Sequence, residues 1–218
     1  DEGEPGSAAD LWFERFAIRF TDHLHAAAIP LCKGGVMARN AGWRGSSAEW
    51  RRRVDDWVIK ARPEDLLNVD IFYDLRPVHG EAQLVESLRT YAWQRGGEHV
   101  EFAKQLGESV RNVNNPFTLL GGLRTQEGRI DLKLNGLFPI AAMARALAIH
   151  HHVARASTRE RLEGLAALPG MPRNDFTVLR DAHVFFLTLV LRQQVADIGA
   201  GIPLSNRIAL DRLTGREQ

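Results

Sequence analysis

Apolar residues recur along this chain at helical steps over most of its length. From Asp10 onward, Phe13, Ala17, Phe20 and Leu24 follow at intervals of four, three and four, which predicts an amphipathic helix ending before Pro30. The stretch Leu31 to Gly45 holds Gly34, Gly35, Gly42 and Gly45, too many for a helix, with Val36, Met37 and Ala38 as a short strand between turns. Ser46 with Glu49 reads as a capping box, and Trp50, Val54, Trp57 and Val58 mark a second helix that stops near Pro63. Arg51, Arg52 and Arg53 form its solvated face.

Asn68 to Leu75 is rich in β-branched and aromatic residues and is closed by Arg76-Pro77, so it predicts a strand. Alternation would put Asp70, Phe72 and Asp74 on one face and Ile71, Tyr73 and Leu75 on the other. After Gly80 the period is helical almost throughout. Leu84 to Ala92 and Val100 to Val110 make two helices separated by Gly96-Gly97, and Asn114-Asn115-Pro116 breaks the pattern. Gly121 to Leu134 is a glycine-punctuated loop or short hairpin, and Phe138 to His151 is a helix. Ser157 with Glu160 forms a second capping box, and Asn174 caps a long helix through Phe176, Leu179, His183, Phe186, Val190 and Gln193. The domain boundary falls at Gly80, giving units 1–80 and 81–218.

Charge and composition narrow the partners. Twenty-eight Lys and Arg against 27 Asp and Glu leave a net charge of +1, which gives no field to draw the chain to nucleic acid or to an acidic membrane. The composition is that of a folded globular protein, and the one cysteine, Cys32, forbids an internal disulfide and suits a reducing, cytoplasmic compartment. The longest uncharged apolar stretch, Val184 to Leu191, is too short to span a bilayer and reads as a buried helix segment. The first residue is Asp, and Asp1 to Ala9 reads as a flexible lead-in to what looks like a fragment.

Three features carry candidate chemistry. Asp70 and Asp74, on one face of a strand, suit a divalent cation as hard oxygen ligands, although a strand cap plus a pair with Arg76 fits the same spacing. Arg124, Arg129 and Lys133 surround a loop at the start of a helix, where cations and N–H groups can hold an anion, although a solvent-facing loop fits equally. The run Cys32-Lys33-Gly34-Gly35-Val36-Met37 lacks the order of a phosphate-binding P-loop, yet its backbone can approach a ligand closely. His150, His151 and His152 point about 100° apart on a helix and cannot converge on one ion, so they read as a solvated helix end. His183 reads as a core histidine.

The run from Pro30 to Arg44, then Trp50-Arg51, and Asp70-Ile-Phe-Tyr-Asp-Leu-Arg-Pro-Val-His-Gly80 resemble a family of bacterial nucleotidyltransferases linked to cyclic-nucleotide-binding and CBS domains. These are relatives of PII uridylyltransferase and glutamine synthetase adenylyltransferase. Gly121-Gly-Leu-Arg-Thr125, Gly128-Arg-Ile-Asp-Leu-Lys133, Leu137-Phe-Pro-Ile140 and Ser157 to Leu162 resemble that family's helical substrate-binding domain. The resemblance covers about residues 10–213.

It implies an α+β protein, part of a polymerase-β-like nucleotidyltransferase domain followed by an all-helical bundle. An acceptor oxygen would attack the α-phosphorus of a nucleoside triphosphate, with Mg2+ ions stabilising the attacking and leaving oxygens. The acceptor would be a protein to be uridylylated or adenylylated in signal transduction, with regulatory domains upstream. Asp74 would be the third metal-binding carboxylate, with Asp70 its helper. Lys33, Gly34, Gly35 and Arg39 would lie near the triphosphate, and Arg129 and Lys133 on the bundle.

The family's Gly-Ser turn and Asp-x-Asp pair are absent, since Gly6-Ser7 leads straight into a helix, so these 218 residues alone would not transfer nucleotides. After Asp131-Leu-Lys133 the chain reads Asn135-Gly-Leu-Phe-Pro-Ile140, lacking one glycine, an arginine and an acidic residue that the uridylyl and adenylyl relatives carry. Two rivals stand beside this reading. One is a non-catalytic helical module for regulation or protein interaction, and the other is a metal-dependent hydrolase built on the histidines.

Overall fold

The first helix, α1 (Ala8–Ala26), begins where the Ser7 side chain accepts a hydrogen bond from the Asp10 amide. In the computed structural model, residues 3–62, 65–111, 122–210 and 213 are described. The chain divides into two compact units, Asp1–Arg95 and Gly96–Gln218.

In the first unit, α1 turns Ala17 and Thr21 inward and leaves Trp12, Phe13, Phe16 and Phe20 exposed. The expected apolar face is therefore split, with Phe13 and Phe20 outside, Leu24 half-buried and Ala17 inside. A short 3-10 turn (Ala41–Trp43) leads to α2 (Ser47–Lys60), whose capping box joins Ser46 and Glu49 as the sequence indicates. Ala61 closes α2 in the left-handed conformation, φ 43°. There is no strand at Val36 to Ala38; that stretch is a run of turns.

The expected strand at Asn68 to Leu75 is a helix. α3 (Leu66–Phe72) runs through it and continues as a turn at Tyr73 and Asp74. The reason is packing: Val69, Phe72 and Tyr73 are all buried, and their spacing of three and four brings them to one face only in a helix. Phe72 stacks on Trp50 at 5.5 Å between centroids and meets Trp57 at 5.4 Å, while Tyr73 meets Trp93 edge-on at 5.3 Å. The β-propensity of the segment yields to this aromatic cluster.

The fourth helix, α4 (Ala82–Glu98), is held to the same core. The Tyr73 hydroxyl donates to the Ala92 carbonyl at 2.7 Å, and burial pushes that phenol well above its ordinary value. The Tyr91 hydroxyl and Arg95 Nε both donate to the Asp55 carboxylate of α2, at 2.7 and 2.8 Å. These bonds carry the first unit on to Arg95, beyond the Gly80 boundary that composition suggests.

The second unit contains α5 (Val100–Arg111), α6 (Phe138–His150), α7 (Thr158–Ala166) and α8 (Arg173–Gly199). It also holds an antiparallel pair, β1 (Arg129–Asp131) with β2 (Arg207–Ala209), in which Ile130 faces Ile208. Glu127 (φ 56°) and Gly128 (φ 72°) form the two-residue turn before β1, both left-handed as a tight hairpin turn demands. The capping box of Ser157 and Glu160 starts α7. Asn174 does not cap α8; it lies inside the helix, whose N-cap is Pro172. Asn114 to Pro116 and Gly121 lie outside the described residues.

Two apolar clusters hold this unit. Ile130, Leu132, Leu189, Val190 and Ile208 seal the small sheet against α8, and Ile140, Ala144, Leu162, Leu165 and Phe176 join α6, α7 and the start of α8. At the end of α8, Asp197 is buried and accepts from Gln193 Nε2 and the Ser205 amide, both at 2.7 Å. Of the apolar run Val184 to Leu191, only Leu189 and Val190 are buried; Val184, Leu187 and Leu191 face outward, against the expectation of a wholly buried segment.

A π-helical turn (Lys133–Leu137) joins β1 to α6 and brings Gly136 onto Phe186, where an added Cβ would stand 2.7 Å from the ring. Gly136→Ala is therefore expected to destabilise the protein by about 1–3 kcal/mol in urea unfolding, and Phe186→Leu in the same chain to recover part of that loss.

Candidate functional site

The glycine-rich loop is organised by α1. Arg44, its side chain largely buried, donates through Nε to Asp10 at 2.9 Å and through Nη2 to Glu14 at 3.2 Å. Its Nη1 reaches the carbonyls of Ala38 at 3.0 Å and Arg39 at 3.2 Å. The Gly6 amide and the Arg44 guanidinium hold the Asp10 carboxyl below the usual carboxylate value. Inside the loop, the Gly35 amide donates to the Cys32 carbonyl at 3.1 Å, and Asn40 Nδ2 donates to the Gly35 carbonyl at 2.5 Å.

This frame displays Cys32, Lys33 and Gly34 at the surface. No partner is seen for Lys33 among the described residues, whereas Arg39 is paired with Asp22 at 2.9 Å. Lys33 is thus ready to meet an anion, and Arg39 must first leave Asp22. Arg44 carries the loop geometry, and the sequence pattern did not single it out. Its only signal is a charged residue closing a Gly-Trp turn, which does not reveal partners on a helix thirty or more residues away.

Asp70 and Asp74 stand four residues apart on α3 and the turn that follows, Asp70 half-buried and Asp74 exposed. They share a helical face in place of a strand face. Among the described residues no group of three or more His, Cys, Asp or Glu can hold a metal ion. Asp70 and Asp74 by themselves do not make up a magnesium cage. The same finding leaves the histidine-based hydrolase without a metal centre among these residues.

Arg129 and Lys133 stand in the second unit, on β1 and the π-helical turn, half-buried and exposed respectively. Between them Asp131 accepts the Leu134 amide at 3.0 Å, and its carbonyl takes Asn135 Nδ2 at 2.8 Å. Asp131 is occupied in starting the turn, which leaves the two cations as the groups able to contact a ligand.

The second unit also contains a cavity of about 560 Å³ between α5 and α6, within the range of small-ligand pockets. Val100, Ala103, Ile140, Met143, Leu147 and Leu179 form apolar walls, and Lys104 and His150 are its ionisable groups. Small residues at Ala103, Gly107 and Ala146 leave the space. In the sequence they read only as ordinary helix-face positions.

Next to the cavity, His151 caps the end of α6 with its pKa lowered by burial and by the neighbouring imidazoles, and burial also lowers His183 on α8. Both stay neutral in the fold at pH values where the unfolded chain takes up protons. Stability is therefore complete above about pH 6.5 and falls below it, in a window separate from the carboxylate losses of Asp10 and Glu160 below about pH 4.5. The urea midpoint is expected to drop between about pH 7.5 and pH 5.5, with a shallower drop in His183→Asn. Arg44→Ala is expected to cost about 1–3 kcal/mol in the same assay and to open the 32–40 loop to limited proteolysis. Arg44→Lys restores little, since an ammonium cannot reach the carboxylates and carbonyls together.

Comparison with known proteins adds the family. Residues 100–218 match the family described as putative nucleotidyltransferase substrate binding domain, and residues 1–64 match a putative nucleotidyltransferase family. No curated protein and no solved structure matches the chain. Among the described residues no helix is long and apolar enough to cross a membrane. With the first of these family models covering more than half of the chain, the chain belongs to the family described as putative nucleotidyltransferase substrate binding domain.

Proposed function

We propose that the protein serves nucleotidyl transfer from a nucleoside triphosphate to an acceptor, with its first unit supplying part of the nucleotide side and its helical unit holding the acceptor. The observation that carries this reading is the succession of two family matches in one chain, the nucleotidyltransferase segment at 1–64 and the substrate-binding segment at 100–218. The 32–40 loop supports the nucleotide side: Gly34 and Gly35 allow close backbone approach, Lys33 offers an ammonium with no partner among the described residues, and Arg39 adds a second cation on release from Asp22.

The cavity between α5 and α6 supports the acceptor side. Its walls suit an apolar group, and Lys104 and His150 suit a polar or anionic tip. Arg129 and Lys133 would add positive charge on the same unit. A protein acceptor, modified by uridylylation or adenylylation, fits this reading, and Mg2+ would accompany the triphosphate. Asp74, with Asp70, would be a carboxylate near the nucleotide and the third metal-binding carboxylate, its companion ligands not being among the described residues.

A second reading, a helical module for protein interaction, is favoured by the exposed aromatic residues of α1, where Trp12 stacks on Phe16 and Phe16 on Phe20 at 5.6 and 6.1 Å.

Calorimetric titration of ATP, GTP, CTP and UTP in the presence of magnesium separates the two. Nucleotidyl transfer predicts weak binding of at least one triphosphate, on the order of millimolar for this chain, reduced about tenfold or more in Lys33→Ala. Binding that ignores Lys33→Ala removes the loop from the site, and no binding of any triphosphate favours the interaction module.

A further inference from the structure

The cavity between α5 and α6 differs in character from one end to the other. Gly97 lies against the ring of His152, just past the end of α6, so α5 starts where α6 finishes and the two helices run antiparallel. Val100 and His150 therefore form one end of the cavity, and Gly107 and Pro139 form the other. Ala103, Ile140 and Ala146 make a buried floor, and Met143, Leu147 and Leu179 are half-buried walls. Helical spacing produces this: positions 100, 103, 104 and 107 share one face of α5, and 139, 143, 146 and 150 share one face of α6. A Cβ added at Gly107 meets nothing within 4 Å, so the apolar end is open space and not a packed seam.

The charge sits at the opposite end. Among the described residues Lys104 and His150 are the ionisable groups of the lining, and both are exposed at the rim. The Lys104 ammonium lies 3.5 Å from Glu101, one turn back toward the start of α5, which carries it to the His150 end. Both members of that pair are exposed, and exposed pairs contribute little, so the ammonium can turn to another anion. No carboxylate among the described residues lines the cavity itself.

We propose that this cavity binds an amphipathic carboxylate, an alkyl chain of about eight to twelve carbons with its carboxylate between Lys104 and His150 and its tail toward Gly107 and Pro139. The ammonium and a ring N–H supply one donor for each carboxylate oxygen. From His150 back to Pro139 α6 rises about 16 Å, and a chain of that size fits both this length and the cavity of about 560 Å³. Such a ligand gives a chemical class to the group held on the acceptor side. That assignment rests on the reading above, whereas the binding rests on the cavity alone, so the two can fail separately.

The carbon-13 methyl signals of the three methionines, Met37, Met143 and Met171, report on the site in the full chain without any triphosphate. Titration with decanoate is expected to shift the Met143 signal to saturation with a dissociation constant on the order of 0.1 mM, and to leave Met37, in the first unit, in place. Octanoate is expected to bind about tenfold more weakly, since each lost methylene removes apolar burial. Gly107→Leu puts a side chain into the open end and removes a glycine from the interior of a helix. It is expected to weaken decanoate binding at least about tenfold with an unchanged far-ultraviolet circular dichroism spectrum. Lys104→Gln is expected to weaken octanoate about fivefold or more and to leave binding of 1-octanol unaffected.

A Met143 signal unmoved by decanoate at about 5 mM overturns the proposal, as does a shift that Gly107→Leu leaves intact. Equal weakening of octanoate and 1-octanol by Lys104→Gln overturns the placement of the carboxylate. Loss of the decanoate result with triphosphate binding retained strikes the ligand class and leaves nucleotidyl transfer standing.

Discussion

The first unit depends on the burial of two adjacent rings, Phe72 and Tyr73, among Trp50, Trp57 and Trp93. Two neighbouring residues can enter the same core only if the backbone coils, because an extended chain sends them to opposite sides. That requirement makes α3 a helix, aligns α2 and α4 on either side of it, and places Asp70 and Asp74 together on the rim. Edge-to-face and offset contacts of this kind contribute about 0.5–1.5 kcal/mol each beyond the area they bury, so the cluster outweighs the strand preference of Val69, Ile71 and Tyr73.

That competition explains where the sequence could be read and where it could not. Helix starts with a side-chain signature, Ser46 with Glu49 and Ser157 with Glu160, stand where the pattern puts them, because a cap is a local interaction between residues three apart. The hairpin turn at Glu127-Gly128 is local in the same sense. The state of residues 68–75 and the outward faces of α1 and α8 are tertiary properties: a run of apolar residues states that a face is apolar and does not state what covers it. The family resemblance of the 30–44 and 128–140 segments was visible. The Arg44 bonds that shape the loop were not, since Asp10 and Glu14 are distant in the chain.

The two units offer different chemistry. The first presents a glycine loop with cations on a scaffold of helix and ion pairs, suited to diffuse negative charge. The second presents an apolar cavity with two ionisable groups, suited to shape. A transfer enzyme needs both functions, one to neutralise phosphate and one to position the group that receives it. The family matches run in that order along the chain, a putative nucleotidyltransferase segment at 1–64 and a putative substrate binding domain at 100–218.

The pairing of β1 with β2 has a bearing on how the second unit is made. Its strands are far apart in the sequence, with three α-helices between them. The cluster joining α6, α7 and α8 needs only nearby segments, but the one containing Ile130 and Ile208 must wait until the ribosome has delivered the last strand. Until then the apolar side of β1 and the middle of α8 stand open to solvent. A nascent chain at that stage is the form most in need of a chaperone.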